Sequence, residues 1–413
     1  MKVTIVGLGY IGLPTAIVLA EIGLDVYGYD IDAEKVLAIR AGKTVIQEHE
    51  LGERLSKVLA LPNFKVGTTL QPADVFVIAV PTPINHLQKA DLSCVWDVVE
   101  KLPTVLQSGN CVILESTVPV GTTRQVGNFL LQQTRFTLGK ELFVVFSPER
   151  VLPGKIFTEL IYNPRVVGGF DSSSAEVAEK FYLNFVRGPI TQTDLETAEM
   201  VKLVENSSRD VQIAFANQVA AMAETAGIDP NVVIKLANQH PRVKILHPGC
   251  GVGGHCIAVD PWFLIETFPN QSKLLLAARE VNDQKPFLVL SQIRKKIDVL
   301  EQNIITRKIR VCALGVTYKA DTDDLRNSPA LLIAQTMQSW SNIDLIVVDP
   351  CLNIAVLSRY FTHAYNDWQT IKEVPDLVVM LVDHTQFKQT DPISFLGKDV
   401  LVFCGITSSL VPS

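Results

Sequence analysis

The sequence has little of what binds nucleic acid, spans a membrane or cross-links a secreted fold. Charged residues make up only 19% of 413, acidic residues outnumber basic ones by 43 to 37, and the formal net charge is −6. No basic excess is available to neutralise phosphates in bulk, so there is no electrostatic reason to expect nucleic acid or an anionic membrane surface as a partner. Apolar runs are of strand length or broken by charge, so no transmembrane helix is expected. The start, Met1 to Gly7, runs straight into a strand without the pattern of a secretory signal. Seven cysteines are spread thinly, and Cys111, Cys312 and Cys404 sit inside apolar strand-like runs, the usage of a reduced, cytoplasmic protein. Tandem repeats of short period and low-complexity tails are absent. At 47% hydrophobic, the chain is long enough for two or three domains with substantial cores.

What is present begins with a buried-strand pattern, Lys2 to Val6, followed by Gly7-Leu-Gly9-Tyr10-Ile11-Gly12 and an apolar helical stretch, Pro14 to Ile22. A second strand, Asp25 to Tyr29, ends in Asp30, where a ribose-binding carboxylate belongs in a dinucleotide fold. The glycines permit the turn and close approach of a pyrophosphate, which then rests on the helix start. Asp30 repels a 2′-phosphate, and Ile31 and Asp32 supply no arginine to hold one, so NAD is expected rather than NADP. Further strands end in small polar residues: Asp74 to Val80 before Thr82, Cys111 to Glu115 before Ser116 and Thr117. Phe143 to Phe146 leads to Glu149, Arg150 and Val151. A carboxylate and an arginine side by side at a strand exit form a surface ion pair or touch substrate, and this edge of the sheet favours the second role.

From Glu196 to about Ala226 the pattern predicts one long helix bridging two domains. Lys202 and Asn206 are four apart and share a face, with Arg209 on a neighbouring stripe and Glu199 placed to pair with Lys202. Solvated helix surface explains such a set equally well on spacing alone. Ala198, Ala214, Ala216, Ala220 and Ala221 point to close helix packing, and to a dimer axis as one use for it. Another helix reaches His240 and Arg242.

The stretch Pro248 to Trp262 then crowds Gly249, Gly251, Gly253 and Gly254 around Cys250, His255 and Cys256, with Asp260 four residues further on. On the loop alone three readings stand: a nucleophilic thiol, an inert glycine-rich loop, and a zinc cluster. The Cys-x5-Cys spacing fits none of the common zinc patterns, and no second Cys/His pair follows nearby. No metal is expected.

After a polar helical segment from Ala277 to about Gln302, Ile309 to Leu314 opens a second α/β sheet, continued by 344–348, 376–382 and 399–403. It lacks a Gly-x-Gly-x-x-Gly, but its first strand exit carries Tyr318, Lys319 and Arg326, suited to phosphate or carboxylate contact. The fold class expected is α/β: two Rossmann-like doubly wound domains joined by a long central helix, divided as 1–192, 193–302 and 303–413. A dinucleotide fold, a thiol, a Lys/Asn pair and a second anion-binding sheet together suggest an alcohol oxidised twice. Cysteine adds to the intermediate aldehyde, the thiohemiacetal is oxidised to a thioester, and water releases the acid. The competing readings are a two-electron hydroxy-acid dehydrogenase and a non-catalytic NAD-binding scaffold. Retention of Lys202, Asn206, Cys256 and Asp260 together argues against the scaffold.

At this point the chain resembles, over nearly its whole length, the nucleotide-sugar 6-dehydrogenase family that includes UDP-glucose and GDP-mannose dehydrogenases. The matching motifs are Gly7 to Gly12, Ser116 to Gly121, Lys202 with Asn206, Gly253 to Cys256 with Asp260, and Lys319 to Pro329. Glu149 to Gly154, Arg165 to Gly169 and His240 to Arg242 are most similar to the family's UDP-N-acetyl-D-mannosamine dehydrogenases, with much shared by its UDP-N-acetylglucosamine members. The resemblance implies Cys256 as nucleophile and Lys202 as proton donor and acceptor. Asn206 would hold the sugar hydroxyl or oxyanion and Asp260 orient the hydrolytic water, with Glu149 in the same catalytic set. It implies NAD contacts at Gly7, Gly9, Tyr10, Ile11, Gly12, Asp30, Thr82, Thr117 and Arg326. UDP-sugar contacts fall on Arg150, Val151, Lys202, Asn206, Arg209, His240, Arg242, Gly253, Tyr318 and Lys319. A homodimer formed through the long helix and a role in surface polysaccharide synthesis follow from the same resemblance. The chain departs from the family pattern at Cys250, a second thiol near the nucleophile that is either silent or able to pair with Cys256, and at 402–408, where relatives place a charged residue.

Overall fold

The computed structural model describes residues 1–404 apart from Val45, Gln47, Pro153 and 391–398. The departure expected at 402–408 therefore falls largely outside the described residues. Eight strands, β1 (Lys2–Val6), β2 (Asp25–Tyr29), β3 (Phe64–Gly67), β4 (Val75–Ile78), β5 (Asn110–Leu114), β6 (Leu142–Phe146), β7 (Arg165–Gly169) and β8 (Ile190–Asp194), form the first sheet. Their order is β3-β2-β1-β4-β5-β6-β7-β8, parallel throughout except for β6 against β7. These strands are apolar on both faces because helices cover both: every residue of β4 and β5 is buried. One face packs Ile5, Ile17 and Ile113 in its core, the other Val6, Phe76 and Phe146. Each such fully buried side chain stabilises by roughly 1.5–3 kcal/mol. Order reverses between β1 and β4, and Val6 pairs with both Tyr29 and Ile78, so the carboxyl ends of β1, β2 and β4 finish level. That switch point is where an open α/β sheet takes its ligand.

The helix that follows β1, Gly12–Glu21, is buried from Gly12 to Ala20, which is why it carries no polar stripe. The long helix runs Leu195–Thr225, 31 residues without glycine or proline, within a residue of the expected ends. The chain forms two compact units, Met1–Glu205 with Trp262–Pro269, and Asn206–Pro261 with the residues from Asn270 onward. The long helix belongs to both, Lys202 lying in the first unit's share and Asn206 opening the second's.

In the second unit, β9 (Ile309–Leu314), β10 (Ile343–Val348), β11 (Ala364–Tyr365), β12 (Leu377–Met380) and β13 (Val400–Val402) make an all-parallel sheet. Its order is β11-β10-β9-β12-β13, again with the switch beside its first strand. Ser328 caps the helix Pro329–Gln338, its Oγ accepting the Leu331 N–H at 3.1 Å, with proline in the first turn where its missing donor costs nothing. The helix Lys273–Glu301 starts earlier than the polar pattern suggests and continues through Pro286, which is buried on its packed face.

Candidate active site

At the carboxyl end of β1 the three glycines have separate jobs. Gly7 takes φ +93, and a Cβ there would stand 2.6 Å from the Ala79 carbonyl of the neighbouring strand exit. A Cβ on Gly12 would fall 1.8 Å from the Gly7 carbonyl, whereas one on Gly9 would meet nothing within 4 Å. Two glycines therefore close the turn, and the third leaves open the approach a pyrophosphate needs. Asp30 is buried at the exit of β2 and accepts the Leu8 N–H at 2.9 Å, the Asp32 N–H at 3.0 Å and the Lys35 ammonium at 2.8 Å. Lys35 lies in the first turn of the next helix, Ala33–Arg40. Tyr10 and Ile11 are half-buried on the same turn, and Thr82 and Thr117 are half-buried beyond β4 and β5. Ser116 Oγ donates to the Val80 carbonyl at 2.8 Å and so ties those two exits together. The residues fit a dinucleotide.

Further along the first sheet the structure redistributes the charges. Glu199 does not pair with Lys202. Its carboxylate accepts the Gly121 N–H at 2.6 Å and the Thr123 N–H and hydroxyl at 2.8 and 2.6 Å, filling the start of the helix Thr122–Thr134. Unpaired N–H groups at a helix start draw in a carboxylate, and here they hold Glu199 in place of the lysine one turn away. Lys202 instead donates to the Glu149 carbonyl oxygen at 2.7 Å. The Glu149 carboxylate turns inward, accepting from Arg165 at 2.7 Å and from the Arg150 N–H at 2.7 Å. Arg150 pairs with Glu205 at 2.8 Å and donates to the Pro164 carbonyl, while Val151 packs at the edge of the core.

Arg165 is the centre of a buried cluster that the sequence did not reveal. It also donates to Glu115 at 3.2 Å and lies 4.4 Å from the Tyr182 ring centroid, and Tyr182 donates its hydroxyl to Glu115 at 2.8 Å. One guanidinium faces two buried carboxylates, which favours a proton on one of them. Burial pushes the Glu115 carboxyl up to about 7, with Glu149 adding repulsion and Arg165 opposing. The folded state thus holds a proton on Glu115 over a range in which the unfolded chain has released it, so stability contributed here falls as pH rises from about 4.5 to about 7. Glu115→Gln is expected to flatten the wild-type decline in stability across that window, read as denaturation midpoints at pH 5 and pH 8. An unchanged slope would place the proton elsewhere.

The thiol loop belongs to the second unit. Its carbonyl at Cys256 accepts the N–H groups of Val259 and Asp260 at 2.9 and 2.8 Å, so the helix Asp260–Thr267 starts one turn past the half-buried thiol. Asn206 Nδ2 donates to Asp260 Oδ2 at 2.5 Å. Gly253 and Gly254 are required by crowding: a Cβ on the first would stand 2.6 Å from the Asn327 carbonyl, and on the second, at φ +82, 2.8 Å from the Tyr318 ring. Gly254 also donates its N–H to the Arg326 carbonyl at 3.0 Å and accepts from the Asn327 amide at 3.1 Å. Lys319 lies 5.6 Å from the Tyr318 ring centroid. Burial pulls its ammonium below the ordinary value, against the opposing charges of Asp324 and Cys256. The Arg326 side chain is exposed and paired with Asp324 at 2.6 Å. His240, Arg242 and Arg209 are exposed, His240 Nδ1 accepting the Arg242 N–H at 3.4 Å. Cys250 is buried with Sγ 3.6 Å from the Leu381 carbonyl, and burial pushes its thiol up to about 12, leaving essentially no thiolate at neutral pH.

Sequence models of one family cover the chain in three consecutive pieces: the UDP-glucose/GDP-mannose dehydrogenase NAD binding domain over 1–186, its central domain over 196–284, and its UDP binding domain over 312–406. The chain is 42% identical to a UDP-N-acetyl-D-mannosamine dehydrogenase of Campylobacter jejuni, over 98% of this chain and 99% of that one. The chain belongs to the UDP-glucose/GDP-mannose dehydrogenase family. It is an NAD-dependent nucleotide-sugar dehydrogenase. An NDP-N-acetyl-D-galactosaminuronic acid dehydrogenase of Ralstonia nicotianae is 40% identical over 98% of this chain and 96% of its own. Among solved structures, the UDP-D-ManNAc dehydrogenase of Pyrococcus horikoshii superposes with a TM-score of 0.89 at 38% identity, covering 99% of this chain and 96% of that one.

This family member also carries a buried polar chain behind the thiol loop. Asn217 Oδ1 accepts the Gly249 N–H at 3.0 Å and its Nδ2 donates to Asn282 at 3.0 Å. Asn282 donates onward to Asp210 at 2.8 Å, and Arg279 donates to Asp210 at 2.6 Å. Two helices thereby fix the main chain seven residues before the thiol. Nothing in the spacing of two asparagines announces this, since their partners are 65 residues apart.

Proposed function

We propose that this dehydrogenase oxidises the C6 alcohol of UDP-N-acetyl-D-mannosamine to the uronic acid, through a thiohemiacetal and a thioester on Cys256. The observation that carries the reading is the loop itself. Cys256 and Asp260 are one turn apart, Asp260 is held by Asn206, and the glycines beside them are packed beneath Tyr318. A carboxylate so fixed near a thioester can orient water, and an amide can hold an oxyanion or a sugar hydroxyl. NAD, when bound, supplies a hydride acceptor for each of the two oxidations. Gly7, Gly9, Tyr10, Ile11, Gly12, Asp30, Thr82, Thr117 and Arg326 would hold it.

Lys202, kept in place by the Glu149 carbonyl, would as the neutral amine take the proton from the C6 hydroxyl, and as the ammonium so formed return one to the thiohemiacetal oxygen or steady it as an oxyanion. Glu149 thus acts through its main chain, and its carboxylate serves Arg165. Arg150, Val151, Arg209, His240, Arg242, Gly253, Tyr318 and Lys319 would hold the UDP-sugar. Functionally the chain divides as 1–192 for NAD, 193–302 for catalysis and dimerisation, and 303–413 for UDP. Phe215 and Met222, seven apart on the long helix and 53% and 59% exposed, support a homodimer. None of the described helices is long and apolar enough to cross a membrane, which suits a cytoplasmic enzyme feeding polysaccharide assembly with an acidic sugar.

The test is NADH yield from limiting nucleotide sugar with excess NAD. Two NADH per UDP-N-acetyl-D-mannosamine, and little from UDP-N-acetylglucosamine, UDP-N-acetylgalactosamine or UDP-glucose, is the expected result. Two from another sugar keeps the chemistry and changes the substrate. One NADH from every sugar that reacts would remove the thioester.

A further inference from the structure

The carboxyl edge of the second sheet carries a nucleophile that the proposed reaction does not use. Asp349 and Cys351 follow β10, and His384 follows β12. Asp349 and His384 are fully buried, and Cys351 is half-buried. Cys351 Sγ lies 3.3 Å from His384 Nδ1, and His384 Nε2 lies 3.3 Å from Asp349 Oδ2 and 3.3 Å from Thr317 Oγ1. The main-chain N–H of Asp321 donates to Nδ1 at 3.0 Å. In the neutral ring that amide leaves the lone pair on Nδ1 and the proton on Nε2, facing Asp349. Although burial opposes it, Asp349 and Cys351 raise the imidazole's pKa to about 9 and make it a strong base toward the thiol. Asp349 is itself held by the N–H groups of Val316 and Thr317 at 2.8 and 3.2 Å and of Cys351 at 3.0 Å. Thiol, basic imidazole nitrogen, Nε2–H and anchored carboxylate thus stand in line, the order that activates a sulfur nucleophile.

We propose that Cys351 is an activated thiol and a site of covalent modification by electrophiles, separate from the Cys256 loop. A metal site is the other use for such groups, since Asp321 completes a Cys/His/Asp trio. The Asp321 carboxylate is engaged, however, by the Thr385 N–H and hydroxyl at 2.9 and 2.6 Å, and the Nδ1 lone pair is shared with an amide. These donors are committed to one another. Reaction with iodoacetamide transfers the thiol proton to His384 Nδ1, forms the S–C bond as the C–I bond breaks, and releases iodide. Because the Asp321 N–H competes for the same lone pair, the acceleration over an unassisted thiol is modest, about tenfold.

The chain contains its own reference. Cys94 is exposed in the first turn of the helix Ser93–Val99. Accessibility alone would have Cys94 react first. The full-length wild-type enzyme is treated with limiting iodoacetamide at pH 7.5, and adducts at each cysteine are followed in time by peptide mass spectrometry. Cys351 is expected to label about tenfold faster than Cys94. His384→Gln should bring Cys351 to or below the Cys94 rate without changing Cys94. A wild-type Cys351 that labels no faster than Cys94 overturns the proposal, and so does a folded His384→Gln whose Cys351 keeps its rate. The wild-type ordering requires no variant, so a misfolded His384→Gln leaves the decision with that measurement. Cys256 is scored separately in the same maps, which keeps this outcome independent of the proposed reaction.

Discussion

Cys256→Ser is expected to lose acid formation by about a thousandfold or more while its NAD affinity stays close to wild type. A hydroxyl at neutral pH is a far weaker nucleophile than a thiol with a thiolate fraction, and an ester is a poorer acyl intermediate than a thioester. The dinucleotide end is built from Gly7, Gly9, Gly12 and Asp30 of the first unit, whereas Cys256 belongs to the second, so the loss should be confined to turnover. Steady-state NADH production and NAD titration by protein fluorescence measure the two separately. Full acid production by Cys256→Ser would remove the thiol from the mechanism. A parallel fall in NAD affinity would instead indicate a structural role for the loop.

Lys202→Ala should lower kcat by about 10²–10⁴-fold, the range expected when a positioned proton-transfer group is removed. The side chain donates to the Glu149 carbonyl, which aims its ammonium without consuming its charge. Lys202→Arg should recover little, because a planar guanidinium cannot lose a proton at working pH and does not overlay an ammonium. Thermal melting of both variants near the wild-type temperature, with kcat lost, is the expected pair of results. Unchanged turnover in Lys202→Ala would return Lys202 to the category of a solvated helix residue.

Much of this molecule could be read from residue order because the relevant forces are local. Alternation, apolar runs and the Gly7 to Gly12 spacing predict β1, β2 and the first helix, and the second sheet follows from the same apolar runs. The long helix was legible from its lack of breakers. What escaped were interactions between residues far apart in sequence. Glu199 has a lysine three positions away, and i,i+3 pairing favours that partner until the start of another helix, 76 residues earlier, is brought against it. Arg165 looks like a strand-edge arginine, yet it is paired with Glu115 and Glu149 from two other strand exits. The Glu149 carboxylate therefore could not be assigned from its position at a strand exit. Asp349, Cys351 and His384 are ordinary residues in the sequence and become a set only when β10 and β12 flank β9.

The seat that Glu199 occupies has a consequence for how the enzyme receives its coenzyme. Among the helix beginnings that follow strands of the first sheet are the one at Gly12 and the one after Gly121. The protein fills the latter with its own side chain: both oxygens of Glu199 are engaged there, and the residue is wholly buried. A misplaced anion would have to evict a tethered competitor whose effective concentration no free phosphate reaches. The helix start after Gly121 is thus closed by the protein's own carboxylate, whereas the Gly7 to Gly12 turn keeps open space beside Gly9.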